Sequence, residues 1–284
     1  MTNKQKILDS IRVITTAMNV PGPTAAAALL AMGAKVTKVE PPGGDFLEKL
    51  SPSWYAALAA GQDIQRIDLK TAQGLAELEA ILADGDLLIT SMRHSALKRL
   101  SLDWAALHSR HPRVCHVEIV GHATPDENKA GHDLTYMATT GLLTPPILPR
   151  TLLADMVGAE RATSSALSLL FARERGLGAG HAEVALSHGA EILAEPLRHG
   201  LTATNGILGG ALPRYNLYET RQGWIALAAL EQHFWDRLTS ELGLANTATT
   251  CDDLQKVFLS RSAAQWEEWA AGLDIPIVAV REWI

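Results

Sequence analysis

The sequence has few of the features that build cross-linked, membrane-spanning or nucleic-acid-binding proteins. Two cysteines among 284 residues, Cys115 and Cys251, are too few for a disulfide framework or a thiolate metal centre. No apolar run reaches the length of about 18 residues that a membrane-spanning helix requires. Acidic residues outnumber basic ones by 31 to 25, which argues against binding to the phosphate backbone of nucleic acids. A hydrophobic content of 47% is that of an ordinary globular protein.

The first residues also lack the apolar core of a secretory signal, because the charged Asp9 directly follows Ile7 and Leu8. A protein with so little cysteine and no such signal is expected in a reducing compartment. We therefore expect a cytoplasmic protein without a membrane partner.

Strand-like and helical segments alternate over the first two-thirds of the chain. Residues 11–15 and 34–40 have the β-branched composition of strands, and the Ala/Leu-rich residues 24–32 between them are typical of a helix. Such a βαβ unit predicts a parallel sheet covered by helices, with ligands outside the carboxyl ends of the strands. The alternation continues with predicted helices over 72–83, 104–109 and 154–175 and predicted strands over 86–90, 114–120 and 181–186.

A Gly-rich segment over residues 200–213 marks the predicted domain boundary. After it, residues 215–230 have the pattern of a β-hairpin that turns at 221–223. We therefore expect a large α/β domain over 1–200 and a small α+β domain over 201–284.

Two kinds of bound group are disfavoured by the motifs. The turn Val20-Pro-Gly-Pro23 has one glycine where the dinucleotide fingerprint needs three, although Glu40 ends the second strand where a ribose-binding acid would lie. Among the histidines, neither His111 with His116 nor His181 with its neighbours has the spacing of a metal site. We expect no nicotinamide or flavin cofactor and no metal.

Three polar residues stand at the predicted ends of elements. His132 opens a helical segment, where the helix dipole favours a neutral imidazole that can act as a base. Asp155 opens the long helix, where the dipole favours a carboxylate. Glu231 follows an apolar strand-like run. Each position is equally typical of a helix cap, so the pattern by itself leaves catalysis open.

Seven segments, in order along the chain, resemble family III CoA-transferases, the group that contains carnitine dehydratase, the bile-acid-inducible F proteins and the α-methylacyl-CoA racemases. The matching segments are Gly22-Pro23 with LLAMGAKVTKVEPPGG (29–44), IDLK (67–70), DLLITSMRHSALKRLSL (86–102), HPR (111–113), GHDLTYMATTGLL (131–143), LLADMVG (152–158) and YNLYETRQGWIALAALEQHF (215–234).

The resemblance implies a fold and an assembly. It implies a Rossmann-like large domain, a smaller α+β domain, and a homodimer of interlocked chains whose active site lies between the large domain of one chain and the small domain of the other. The present sequence is compressed between Glu191 and Gly210 and stops at Ile284, where relatives return to the large domain. We therefore expect the interlocked dimer to be open, or the chain to pair with a full-length relative.

The racemases resemble this chain most, because they share the histidine before Asp133. The resemblance implies that His132 and Asp155 are the two acid/base groups of a 2-methylacyl-CoA racemase, and that Glu231 supports the histidine. In the transferases, the position of Asp155 is instead the nucleophile that carries the acyl group and then CoA. A third alternative is a weakly active CoA-binding subunit.

The CoA thioester is the substrate or ligand in all three hypotheses, and the reaction needs no metal or organic cofactor. By resemblance, Lys38, Arg93 and Arg99 are the cations on the CoA side, and Asp133 and Tyr136 lie beside the thioester. Two motifs depart from the family. GQDI (61–64) replaces a basic pair, and MRHS (92–95) replaces a Pro-Gly turn, so we expect weaker CoA binding.

Overall fold

The computed structural model describes residues 6–281. The chain divides between Ala194 and Glu195 into two compact units, close to the boundary that we predict at residue 200. The CoA-binding role that the resemblance gives to the first domain stays a prediction. None of the helices within residues 6–281 is both long and apolar enough to cross a bilayer.

The first unit contains a six-stranded sheet in which every neighbouring pair is parallel. Its order is β3-β2-β1-β4-β5-β6. The predicted α/β fold with a parallel sheet is therefore confirmed, although β3 is a polar edge strand that the hydrophobic pattern did not reveal. The strands are β1 (Arg12–Thr15), β2 (Lys35–Glu40), β3 (Asp63–Arg66), β4 (Leu87–Thr90), β5 (Cys115–Val120) and β6 (His181–Ala185).

Helices cover both faces of this sheet. Successive residues of a strand point to opposite faces, so a strand such as β1 contributes apolar side chains to both helix layers. In β1, Val13 packs in an apolar cluster with the first and eighth helices, and Ile14 packs in another cluster with the fourth, fifth and sixth. The helices are α1 (Pro21–Ala31), α2 (Phe46–Leu50), α3 (Pro52–Ala59), α4 (Ala72–Leu82), α5 (His94–Arg99), α6 (Trp104–Arg110), α7 (Asp133–Thr140), α8 (Leu153–Ala172) and α9 (Leu186–Arg198), the last of which continues into the second unit.

One predicted boundary is wrong. The prolines at 21 and 23 were expected to precede the first helix, but α1 begins at Pro21 and includes both. Proline is tolerated in the first turn, since the amide hydrogen that it lacks would have no acceptor within the helix.

The second unit is an antiparallel sheet packed against helices. The predicted hairpin is present, with β7 (Tyr215–Glu219) paired to β8 (Trp224–Ala228) and β8 to β9 (Ile277–Ala279). Its core is aromatic, since Phe258 and Trp266 are buried among the strand residues. The helices of this unit are α10 (Gln232–Leu242), α11 (Cys251–Phe258) and α12 (Ala263–Ala271).

Candidate active site

A cavity of about 260 Å³ opens at the carboxyl ends of the central strands. It is lined by Met18 and Asn19 after β1, by Ser91 and Arg93 after β4, and by Gly121 after β5. The strand order reverses between β1 and β4, and the crevice at such a reversal is the usual ligand site of a parallel sheet. We call it the switch-point cavity.

The structure brings His132 and Asp155 into this one cavity. His132 directly precedes α7, and Asp155 lies in the first turn of α8. The two helix starts are held together by a hydrogen bond, because the amide of Asp155 donates to Oδ1 of Asp133 at 3.1 Å. Packing of α7 on α8 thus places an imidazole and a carboxyl in the same cavity, although the two residues are far apart in the sequence.

The environment of Asp155 favours its protonated form. Burial and the nearby charge of Asp133 together raise the pKa of this carboxyl to about 6, against the opposing effect of His132. We expected the helix dipole to favour the carboxylate here, but desolvation and a second negative charge outweigh it. Asp155 therefore changes its protonation close to neutral pH.

Tyr136 forms one wall of the switch-point cavity, and two glycines make room for its ring. A methyl group at Gly121 would lie 2.5 Å from the hydroxyl oxygen, and one at Gly131 would lie 2.4 Å from Cε1 of the ring. Burial and the negative charges of Asp155 and Asp133 raise the pKa of Tyr136 to about 12. The phenol therefore keeps its proton and can donate a hydrogen bond to a substrate.

Several residues that shape the cavity were not identified from the sequence. The amide of Met18 donates to Oγ of Ser91 at 3.0 Å, which joins the loops after β1 and β4. Lys129 also lines the cavity, and its ammonium pairs with Asp126 at 2.8 Å. Met18 and Ser91 closely follow apolar strands, which is too common a pattern to single out a site, and Lys129 lies well beyond the end of β5 and has no such signal.

The three predicted CoA cations have different surroundings. Arg93 lines the switch-point cavity, whereas Arg99 lines a neighbouring apolar groove that shares Met18 with it. Lys38 is buried, and its ammonium lies 2.6 Å from Asp45 and 2.8 Å from Glu40. The charge of Lys38 is thus already balanced inside the protein.

The remaining predicted residue, Glu231, belongs to the second unit. It is the exposed residue immediately before α10, and its side chain makes no capping hydrogen bond there. Its predicted support of the histidine stays a prediction.

Comparison with known proteins identifies the family. The model of CoA-transferase family III matches residues 8–283. The chain belongs to this family. The family membership that the sequence motifs predict is therefore confirmed over nearly the whole sequence.

The similar members of CoA-transferase family III include both racemases and transferases. The human alpha-methylacyl-CoA racemase is 26% identical over 303 residues, which cover 96% of this chain and 77% of the relative. The succinate–glutarate CoA-transferase of Agrobacterium fabrum is 28% identical over 278 residues, which cover 87% and 69%. A CaiB/baiF CoA-transferase family protein of Caenorhabditis elegans, ZK892.4, is 24% identical over 300 residues, which cover 97% and 86%.

A solved structure shares the fold. The orthorhombic form of Rv3272 from Mycobacterium tuberculosis superposes with a TM-score of 0.84 at 22% identity, covering 99% of this chain and 86% of that one. This family member therefore has the same arrangement of strands and helices as the chain described above.

Proposed function

We propose that the protein acts on a 2-methylacyl-CoA thioester and inverts the carbon next to the thioester carbonyl. The observation that carries this proposal is that His132 and Asp155 line one cavity. Inversion needs one group to remove the α-proton from one face and a different group to return a proton to the other. An imidazole and a carboxyl facing the same space provide those two groups.

The properties of Asp155 support proton transfer. Its pKa of about 6 means that it both releases and accepts protons near neutral pH. In one direction Asp155 takes the α-proton and His132 donates, and in the other direction the roles are exchanged. The similarity to the human alpha-methylacyl-CoA racemase adds to this support.

Between the two proton transfers, negative charge develops on the thioester oxygen and needs hydrogen-bond donors. The amide of Asp155 is not free for this, because it donates to Asp133. The amides of Leu153 and Ala154 at the start of α8 have no acceptor within the helix, but neither residue lines the cavity. We therefore assign the role to the protonated hydroxyl of Tyr136, which lies on the cavity wall.

The CoA portion is assigned to the groove beside the cavity. Arg93 and Arg99 offer guanidinium groups for the phosphates. The apolar side chains of Met18 and Met92, which line both spaces, offer a surface for the pantetheine arm. We do not assign Lys38 to CoA binding, because its ammonium already forms ion pairs with two carboxylates.

We further propose a cytoplasmic homodimer in which Glu231 of one chain supports the active site of the other. The reaction itself needs no metal or organic cofactor. Light scattering at micromolar concentration should give twice the mass of one chain, and a single-chain mass would contradict the dimer.

A transferase is the second candidate, because Asp155 by itself provides the nucleophile that it needs. The carboxylate attacks the thioester carbonyl and expels CoA thiolate, which leaves a mixed anhydride. The thiolate then attacks the aspartyl carbonyl, releases the donor acid and forms an aspartyl-CoA thioester. The acceptor carboxylate attacks this thioester and expels CoA thiolate, which leaves a second mixed anhydride. The thiolate attacks the acceptor carbonyl of that anhydride, which releases the acceptor CoA thioester and the free carboxylate of Asp155. The similarity to the Agrobacterium fabrum transferase favours keeping this candidate.

One experiment separates the candidates. The protein is incubated with one enantiomer of a 2-methylacyl-CoA in deuterated water, and then with a free carboxylic acid. Deuterium at the α-carbon with loss of chirality and no new CoA ester supports the racemase. A new CoA ester without deuterium contradicts it and supports the transferase. Binding of the ester without either reaction supports a CoA-binding subunit.

A further inference from the structure

A second group of imidazoles and a carboxylate lies on the sheet, away from the switch-point cavity. His116 and Glu118 of β5 and His181 of β6 each place one nitrogen or oxygen within 4.8 Å of the others. The parallel pairing of the two strands sets His116 directly opposite His181, and Glu118 follows two residues later on the same face. With His94 of α5, which contacts Glu118, we call these four residues the strand cluster.

His116 is held in an orientation that leaves one ring nitrogen unused. The residue is fully buried, and its Nε2 lies 3.0 Å from the hydroxyl oxygen of Thr90. Its Nδ1 is also buried and has no hydrogen-bond partner among residues 6–281. A buried polar atom without a partner carries a free-energy cost, so such an atom points to a bound water or ion as its partner. If Nε2–H donates to Thr90, the lone pair of Nδ1 is available to a cation.

The carboxylate of Glu118 is shared between two histidines. Its Oε1 lies 3.3 Å from Nδ1 of His94, and its Oε2 lies 3.3 Å from Nε2 of His181. Both contacts are long for hydrogen bonds to a carboxylate, which are typically about 2.8 Å. Ligand atoms around a tetrahedral zinc ion are about 3.3 Å apart, since each is about 2.05 Å from the metal. The two contacts of Glu118 therefore have the spacing of neighbouring ligands around a metal, and the ligand atoms of His116, Glu118 and His181 all lie within 4.8 Å of one another.

We propose that the strand cluster binds one divalent transition-metal ion, and that zinc(II) fits it best. The ligands are Nδ1 of His116, the carboxylate of Glu118 and Nε2 of His181, with water in the fourth position, and His94 positions the carboxylate by its contact with Glu118. Two imidazoles, one carboxylate and a water are donors that zinc accepts in tetrahedral sites. This site goes beyond the proposed reaction, which uses other residues, and it differs from our expectation from sequence that the chain has no metal site.

The surroundings of the strand cluster support a structural ion. Thr90 orients His116, and the ring of Trp104 stacks on His181 with centroids 5.7 Å apart. Neighbouring side chains therefore fix the orientation of both imidazole rings. The side chains of His94 and His181 are about one-third and one-quarter exposed, which gives the ion an entry path. A bound ion would tie β5 to β6, and His94 connects the start of α5, next to Arg93 in the cavity wall, to the carboxylate of Glu118.

The test is a metal titration of the full-length protein after dialysis against a chelator. We expect calorimetry to show one zinc ion bound per chain with a dissociation constant below about 1 μM, and zinc to raise the melting temperature. Cobalt(II), added in place of zinc, should give the visible absorption spectrum of a tetrahedral ion. No stoichiometric binding, or an octahedral cobalt spectrum, would overturn the proposal.

Variants show where the ion binds. His181→Gln and His94→Gln should each weaken zinc binding by at least about tenfold. The matched control is His111→Gln, since His111 pairs with Glu79 outside the strand cluster and should bind zinc like the unaltered protein. If all three variants bind zinc with the affinity of the unaltered protein, zinc is bound by other residues and the proposal is overturned. Circular dichroism checks folding, and the cobalt spectrum of the unaltered protein decides the question if a variant does not fold.

Discussion

The switch-point cavity and the strand cluster are built from the same two chemical groups, but their carboxyls behave in opposite ways. Asp155 lies beside another carboxylate, and its pKa is raised to about 6. Burial alone would raise the pKa of Glu118 too, but the hydrogen bonds and charges of the surrounding histidines lower it below its usual value. The neighbours of a buried carboxyl, rather than burial alone, thus decide its charge.

This difference separates two functions within one sheet. A carboxyl that gains and loses a proton near neutral pH is suited to move protons. A carboxylate that stays ionised among imidazoles is suited to hold a cation. We therefore expect substitutions in the cavity to change catalysis, and substitutions in the strand cluster to change stability and metal binding.

The largest effect is expected from removing the carboxyl of Asp155. Asp155→Asn keeps the shape of the side chain but removes both the acid/base group and the nucleophile, so turnover should fall by about 10³-fold or more under either enzyme candidate. The measurement is the rate of α-proton exchange and of CoA transfer. Asp84→Asn, at an exposed position paired with Arg12, is the control that keeps full activity. Activity within tenfold of the unaltered protein would exclude Asp155 from the chemistry.

The next effect distinguishes the two candidate reactions. His132→Ala should lower racemisation by about 10²–10⁴-fold, because one of the two proton-transferring groups is lost. CoA transfer through Asp155 would be nearly unchanged. The assay follows chirality and the new ester in parallel, with His111→Ala as the control. Racemisation that persists in His132→Ala would contradict the assignment of two groups to this cavity.

The sequence predicted the cavity better than the strand cluster, for a physical reason. Hydrophobic periodicity identified most strands of the large sheet, and family motifs pointed to His132 and Asp155. The strand cluster depends on the register between β5 and β6, which pairs His116 with His181. Register is set by tertiary packing, so spacing along the chain made these histidines look unrelated. The burial of Lys38 between two carboxylates was hidden in the same way.

Stability should change in opposite directions at the two carboxyls. Glu118→Gln, measured with a chelator present, should lower the free energy of unfolding by about 2 kcal/mol, because the partly buried imidazoles of His94 and His181 lose their ionised partner. Asp155→Asn should instead raise stability, since it removes a carboxylate that its surroundings disfavour. Chemical denaturation at pH 7.5 measures both changes. A loss of stability in both variants would contradict the contrast between the sites.

The gain in the free energy of unfolding that we expect for Asp155→Asn should increase as the pH rises. The folded protein holds the Asp155 proton up to about pH 6, whereas the unfolded chain releases it near the ordinary value of 3.8. The unaltered protein therefore loses stability as the pH rises through this window, and the Asn variant does not. The stability difference should be small at pH 4, grow until about pH 6.5 and then stay constant. A difference that is constant across this range would mean that the carboxyl titrates normally.

The smallest effect concerns Asp133, which positions Asp155 and raises its pKa by charge. Because proton transfer depends on the protonation of Asp155, the pH profile of kcat/KM should have a break near pH 6. Both enantiomers should give the same profile, because the two active forms differ only in which group holds the proton. Asp133→Asn can still accept the amide hydrogen bond but lacks the charge, so this break should move down by about half a pH unit. A break that does not move would mean that burial alone sets the pKa of Asp155, and the carboxylate neighbour would then no longer explain why this site differs from the strand cluster.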